Sequence, residues 1–212
     1  MSGWTRIAGQ AVALPVANID TDQLIPARFM SQPRKDGYGD FLLHDVREAQ
    51  AAHPLNHHRP QVLVTRRNFG SGSSREAAVY ALVDFGICAV FAPSFGDIFA
   101  GNAVNNGLLA AQIDESKIDA LIASLGNSVG EAQVDLEAAS AIIAGQEISF
   151  SLDPVRRQKL MNGWDDIDLT AQHTTEISAF RAARLAAHPW AWPIDTNQTD
   201  AKSVSNTGST TK

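Results

Sequence analysis

"NFGSGSSREAAVYALVDFGICAVFAP", residues 68–93, decides the fold. A turn rich in glycine and serine runs into an apolar helical pattern, expected from about Ser73 to Asp84 and closed by Phe85 and Gly86. A second apolar run follows at 86–93. Just upstream, "QVLVTRR" (61–67) has the β-branched apolar run of a buried strand. Strand, helix and strand in that order predict parallel strands joined by a right-handed crossover. Gly70 and Gly72 let the chain bend and bring backbone amides close to a ligand. Ser73 or Ser74 caps the helix in this reading, with Glu76 three residues after Ser73 as a capping-box partner. Arg75 then sits in the first turn, where a cation opposes the helix dipole by about 0.3–1 kcal/mol. An anion held at the turn accounts for that placement, because a guanidinium grips an anion with two hydrogen bonds. The turn is not a phosphate loop, which needs a Gly-Lys-Ser/Thr ending. Nor is it a dinucleotide fingerprint, whose third glycine would stand where this chain has Arg75.

Outward from this stretch, a strand is expected over Arg6–Val16. "NIDTDQLIPARF" (18–29) reads as a polar turn with Asp20, Thr21 and Asp22 before Pro26. Residues 31–60, rich in Pro, Gly and His, read as a long loop with one short helix near Val46–Ala52. Further on come a helix at 94–107 capped by Ser94, a strand Leu108–Ile113 and a helix Glu115–Leu125. "QVDLEAASAIIAGQEISFSLD" (133–153) alternates as a hairpin about "AGQE". Two last helices are expected, at Pro154–Asn162 and Thr170–Ala187. The whole predicts one mixed α/β domain over 1–193, followed by a tail, 194–212, too poor in large apolar residues to fold.

The 212 residues include 17 basic and 23 acidic side chains, a net charge of -6. That balance argues against a nucleic-acid binder. No run approaches the ~18 apolar residues of a membrane span, and no signal peptide is evident, so a cytoplasmic protein is expected. Cys88 is the only cysteine; it reads as a buried small hydrophobe, and one thiol cannot make a disulfide or hold an iron–sulfur cluster. His53 and His57 have the spacing of a helical metal pair. Pro54 interrupts that helix and no acidic cluster completes it, so the histidines from His44 to His58 are expected to be solvated and to hold no metal. Trp190 and Trp192 in "HPWAWP" (188–193) are expected to pack back on the domain.

Four segments then carry a resemblance. "NFGSGSSREAAVYAL" resembles the Gly-x-Gly-Ser-Ser-Arg-Glu segment of the aconitase superfamily's swivelling domain. "ANIDTDQLIPARFM" is similar to its Asn-Ile/Val-Asp-Thr-Asp segment, and "APSFGDIFAGNAVNNGLL" to its Pro-Ser-Phe segment. "LMNGWDDIDLTAQH" (160–173) is similar to the C-terminal stretch. The resemblance implies a three-layer swivelling β/β/α domain with a mixed sheet, as in the aconitase C-terminal domain. It also implies a hydro-lyase chemistry, in which water is removed from a small dicarboxylate and returned.

By that resemblance Ser73 is the base, acting as an alkoxide, and Arg75 binds a substrate carboxylate, with Ser74 orienting the same group. Gly70 and Gly72 supply close backbone. Asp22, beside Thr21, is either an active-site aspartate or a turn-former bonded to nearby amides. No cofactor is expected on this chain: the [4Fe–4S] cluster of such enzymes lies in a separate large subunit, the implied partner. The loop "FMSQPRKDGYG" (29–39) is where substrate side chains are selected. Arg34 or Lys35 there is either a ligand for a second carboxylate or a solvated charge. Ala77 stands where the family usually has His, and Ser71 where it usually has Cys or another residue. Two further readings stay open: a relative acting on dimethylmaleate, citraconate or homoaconitate, and a carboxylate-binding module without activity.

Overall fold

The computed structural model describes residues 3–192, and among them the expected alternation of strands and helices is present. The chain runs through β1 (Arg6–Leu14), α1 (Thr21–Leu24), α2 (His44–Ala49), α3 (Pro54–His57) and β2 (Val62–Thr65). It continues through α4 (Glu76–Phe85), β3 (Ala89–Ala92), α5 (Asp97–Asn105), β4 (Leu109–Gln112) and α6 (Glu115–Leu125). After these come β5 (Val129–Asp135), β6 (Ser140–Ile143), β7 (Gln146–Ser149), α7 (Pro154–Asn162), α8 (Asp166–Ala171) and α9 (Thr174–Ala187). Contacts divide the chain into two compact units, Met1–Leu169 and Thr170 onward. The expected tail, 194–212, lies outside the described residues.

The first unit is built on one seven-stranded sheet of order β4-β3-β2-β1-β5-β6-β7. β1 is its junction. Ala11–Leu14 pair parallel with Val62–Thr65, while Arg6–Val12 pair antiparallel with Val129–Asp135. β2, β3 and β4 continue in parallel, and β5, β6 and β7 form an antiparallel meander.

Side chains alternate across the pleat. Val12, Leu14, Leu63 and Val90 share one core with Ala78, Val79, Leu82 and Phe85 of α4. Ala11, Ala13, Val62, Val64 and Phe91 share the other with Ile118, Leu121 and Leu125 of α6 and the inward residues of the meander. Burying each large apolar side chain contributes about 1.5–3 kcal/mol, so both faces of the parallel strands are strongly held. Gln112 at the end of β4 bridges Ser151 beyond β7, and Phe91 meets Phe150 edge-on at 5.7 Å. The meander therefore curls over the parallel strands, giving the layered α/β arrangement that the resemblance implied.

Several local expectations are corrected. α4 begins at Glu76, with Arg75 in the N-cap position and no side-chain cap, so neither Ser73 nor Ser74 caps it. Glu76 makes no capping box; its carboxylate accepts from Asn106. Ser94 does not cap α5 either. Its hydroxyl accepts from the Asn68 N–H, and Gly96 takes the N-cap position. The hairpin expected about "AGQE" is present, with β6 pairing β7 on either side of Ala144 and Gly145; only residues 133–135 differ, belonging to β5, after which Asp135 accepts from the Glu137 and Ala138 amides and turns the chain. The expected helix Thr170–Ala187 is present as α9 from Thr174, while Thr170 and Ala171 end the separate helix α8. In the second unit Arg181 lies over the Trp192 ring at 5.6 Å, while Trp190 is 82% exposed and does not pack back.

The 31–60 stretch is a braced array of 3-10 turns and short helices rather than a long loop. The Tyr38 amide donates to Asp84 at 2.7 Å, Phe29 stacks on Phe41 at 4.3 Å, and Arg59 lies over Phe85 at 4.0 Å. His53 is 6% exposed, not solvated, and its Nδ1 accepts from the Leu55 N–H at the start of α3. His57 instead meets the Ala51 carbonyl, so the two form no metal pair. Cys88 is half-buried.

His53 gives a testable pH dependence. Burial, then the charge of Arg47, pushes its pKa below the ordinary 6.5. The unfolded chain therefore binds the proton more readily, and stability is lost as pH falls from 6.5 through the lower folded value. His53→Asn keeps a capping acceptor without titrating in this range. Thermal melts from pH 8 to 5 should show the wild type losing more stability below about pH 6.5 than His53→Asn; parallel curves would contradict this assignment.

Candidate active site

The site forms where the chain leaves the C-terminal ends of β1, β2 and β3. Here the segments after each strand continue pairing for one step. Asp20 bridges Ser71 and Phe69 bridges Phe95, both parallel. The Gly70 N–H donates to Ile19 O at 2.7 Å, the Thr21 N–H to Ser71 O at 2.9 Å, and the Gly96 N–H to Phe69 O at 2.9 Å. Residues 69–71 are thus the middle of three short strands. Asn18 and Asn68, both at positive φ, tie two of these exits together through a side-chain hydrogen bond of 2.9 Å. Asparagine tolerates the left-handed region better than most residues.

Gly70 is required twice over. Its φ is +70°, and a Cβ there would overlap the Phe99 ring. That ring packs edge-on against Phe69 at 5.4 Å and stacks with Phe95 at 6.3 Å. The turn therefore rests on an aromatic floor. Gly72, at φ +94°, has more room, with Thr21 Oγ1 3.5 Å from the Cβ position.

Thr21 is 2% exposed, and its hydroxyl donates to the Ser73 carbonyl at 2.9 Å and lies 3.4 Å from Ser73 Oγ. Asp20 caps α1 by accepting from the Gln23 N–H at 2.8 Å. The turn-forming role weighed for Asp22 thus belongs to Asp20, and the Asp22 side chain is left to pair with Arg75. Arg75 is 23% and Asp22 57% exposed, so solvent screens the pair; such exposed pairs contribute about 0–1 kcal/mol. Ser73 and Ser74 are exposed beside it. The geometry joins a hydroxyl, a carboxylate and a guanidinium on an open edge, from two segments more than 50 residues apart. Such an edge has the groups to bind a carboxylate and to exchange a proton with a neighbouring atom of the same ligand.

Of the sequence candidates, Thr21, Asp22, Gly70, Gly72, Ser73, Ser74 and Arg75 fall in this one place. Lys35 is exposed in the 3-10 turn Arg34–Asp36. Sequence reasoning gave no role to Asn106, whose amide reaches Glu76 at 2.8 Å, although its segment is one of those carrying the resemblance. His44, Asp45 and Glu48 come within 4.8 Å of one another. Asp45 is already paired with Arg28, which together with a hydrogen bond from His44 holds its carboxyl at about 2, so its carboxylate is already engaged. A [4Fe–4S] cluster does not fit this chain. Its one thiol, Cys88, precedes β3 at the end remote from the site, near the Gly86 carbonyl and with its pKa pushed up by burial.

Residues 1–116 match the aconitase C-terminal domain family. Two curated relatives are named 3-isopropylmalate dehydratase small subunit. That of Shewanella amazonensis is 42% identical over 194 residues, covering 86% of this chain and 96% of the relative. That of Teredinibacter turnerae is 37% identical over 208 residues, covering 90% and 97%. This chain belongs to the aconitase C-terminal domain family, among the 3-isopropylmalate dehydratase small subunits. A solved family member, the 3-isopropylmalate dehydratase (leuD) of Methanocaldococcus jannaschii, superposes with a TM-score of 0.63 at 25% identity. The match covers 82% of this chain and 98% of that one. The site residues from Thr21 to Asn106 all lie within the stretch that matches the family. No helix among the described residues is long and apolar enough to cross a membrane.

The two glycines of the turn should respond differently to substitution. Gly72→Ala meets only an unfavourable φ and should cost about 1–2 kcal/mol. Gly70→Ala also has to displace the Phe99 ring and should cost about 1–3 kcal/mol more. Urea unfolding of the two variants measures the difference; equal losses would remove the aromatic floor from the account.

Proposed function

We propose that this chain is the small subunit of a 3-isopropylmalate dehydratase, interconverting 2-isopropylmalate and 3-isopropylmalate through 2-isopropylmaleate in leucine biosynthesis. Its partner is the 3-isopropylmalate dehydratase large subunit, in a heterodimer or higher heteromer in the cytoplasm. The observation that supports this reading most is the convergence of Ser73, Asp22 and Arg75 on one open edge.

The reaction removes a hydroxyl and a proton from adjacent carbons, then returns water with the positions exchanged. The proton leaves a carbon beside a carboxylate, so negative charge builds on that carboxylate. Arg75 binds it through the guanidinium fork, in competition with Asp22, which holds the fork in place before substrate arrives. Ser73, as the alkoxide, takes the proton and returns it in the second half-reaction. The alkoxide charge is offset by Arg75 two residues on and by the unsatisfied N–H groups at the start of α4. Ser74 orients the same carboxylate. Thr21 fixes the Ser73 backbone, and Gly70 and Gly72 keep that backbone close. The loop 30–40 selects the substrate's side chain, with Arg34 or Lys35 as ligand for the second carboxylate. Departure of the hydroxyl needs a Lewis acid, which the large subunit's [4Fe–4S] cluster supplies in the assembled enzyme.

Co-purification with candidate large subunits, followed by an anaerobic assay of 2-isopropylmalate conversion, tests the reading. This chain alone should remain colourless and inactive after treatment with iron and sulfide. A brown, active preparation from it alone would overturn the division of labour. In the heteromer Ser73→Ala should form the complex normally and lower turnover by ~10²–10⁴-fold; retention of most activity would move the base elsewhere.

Arg75→Lys keeps the charge and loses the fork. It should weaken substrate binding and slow turnover, with stability lowered by no more than about 1 kcal/mol because the Asp22 pair is exposed. Unchanged kinetics would exclude the carboxylate-binding role.

A further inference from the structure

Arg75 is followed directly by Glu76, an exposed carboxylate at the first position of α4. An unrestrained glutamate beside an arginine is a ready intramolecular competitor for any anion the arginine is to bind, because it is always present at high effective concentration. Glu76 is not unrestrained. Its Oε1 accepts from Asn106 Nδ2 at 2.8 Å, and the same amide nitrogen lies 2.9 Å from the Asn102 carbonyl, which anchors it to α5.

The backbone of Asn106 is fixed as well. It is the C-cap of α5, with its N–H over the Asn102, Ala103 and Val104 carbonyls, and the buried Leu108 donates back to Ala103 at 2.9 Å. The preceding residue, Asn105, is tied to Asp166 at 3.1 Å and to Lys159, so the end of α5 is clamped from the α7 side too. Arg75 meanwhile pairs with Asp22 on α1. Two neighbouring, oppositely charged side chains thus have separate partners on separate elements.

We propose that Asn106 is a positioning residue of the site: by holding Glu76 against α5 it keeps that carboxylate off Arg75, leaving the guanidinium to Asp22 and to an incoming substrate carboxylate. This role rests on the proposed carboxylate-binding function of Arg75. It predicts a defect in substrate binding whose cause is the charge of Glu76, not the loss of a structural bond. Asn106→Ala frees Glu76, and adding Glu76→Gln to it removes the competing charge without restoring the hydrogen bond.

In the assembled heteromer, Asn106→Ala should raise KM for 2-isopropylmalate about tenfold while kcat changes less than about threefold. The double variant Asn106→Ala with Glu76→Gln should return KM to within about threefold of wild type, although both carry the same small loss of Tm. A KM unchanged in the single variant, or still raised in the double, overturns the proposal and leaves Asn106 a structural cap of α5. A second readout does not depend on the reaction. In the isolated chain, the Arg75 Nε–H resonance should shift in Asn106→Ala and revert in the double variant. If wild-type heteromer fails to convert 2-isopropylmalate but the resonance behaves in this way, the functional reading falls and the positioning of Glu76 stands. A resonance that fails to revert removes the positioning role whatever the assay gives.

Discussion

The Thr21 hydroxyl, buried at the exit of β1, donates to the Ser73 carbonyl across 52 residues of sequence, and the local geometry of the site follows from this bond. It holds Ser73 beside Thr21, next to the Asp20–Ser71 bridge, so 71–74 do not enter α4. The helix consequently starts at Glu76, Ser73 stays exposed in a bend, and Arg75 falls at the N-cap position within reach of Asp22. The Ser73 carbonyl also accepts from the Arg75 N–H at 2.7 Å, so the Thr21 hydroxyl is the group with most to lose; a typical hydrogen bond contributes about 0.5–1.5 kcal/mol net, yet leaving a buried donor unpaired costs about 1–3 kcal/mol. That asymmetry makes the alternative, a helix begun at Ser73, the poorer solution even though the local sequence favours it.

The same competition explains what the sequence made legible. Strand positions at β2 and β3, α6 and α7 were readable because hydrophobic periodicity and a Pro or Gly boundary agreed with the tertiary answer. The caps were not. Ser73, Ser74 and Ser94 have ideal capping chemistry, but long-range partners engage two of them: Thr21 meets the Ser73 carbonyl, and Asn68 donates to the Ser94 hydroxyl. A capping rule considers four or five residues and has no means of weighing a partner some 50 residues away. The braced 31–60 segment escaped for a related reason. Its order comes from Tyr38–Asp84, Phe29–Phe41 and Arg59–Phe85 contacts, and each of these reaches outside the segment. The candidate residues themselves were found through chemistry and resemblance, whereas their pairing, Asp22 with Arg75 and Asp20 with the α1 cap, had to be observed.

Electrostatics place a further constraint on function. The chain carries a net charge of -6, and the one guanidinium at the turn is already matched by Asp22 in the free subunit. The long-range field is therefore not an attractor for a dianionic ligand. Affinity has to come from short-range, desolvated contact, and on this chain the turn is open: Ser73, Ser74 and Asp22 are all exposed. A charge pair that contributes little in water gains strength when water is excluded, because the effective dielectric falls. A partner covering this edge would strengthen every polar contact within it without altering any residue of the turn.

That dependence connects the fold to the division into subunits. The parallel strands are packed on both faces by α4 and by the curled meander, so the framework beneath the turn is complete in this chain. The aromatic floor of Phe69, Phe95 and Phe99 fixes the backbone of Gly70 from below, and Thr21 fixes Ser73 from the side. The groups that hold Ser73, Asp22 and Arg75 together are thus internal. In the proposed reaction the exclusion of water and an electrophile for the leaving hydroxyl would come from outside this chain, since its only thiol lies at the far end of β3. A rigid, preorganised half-site can be left exposed at little cost in stability, because its geometry does not depend on the missing half.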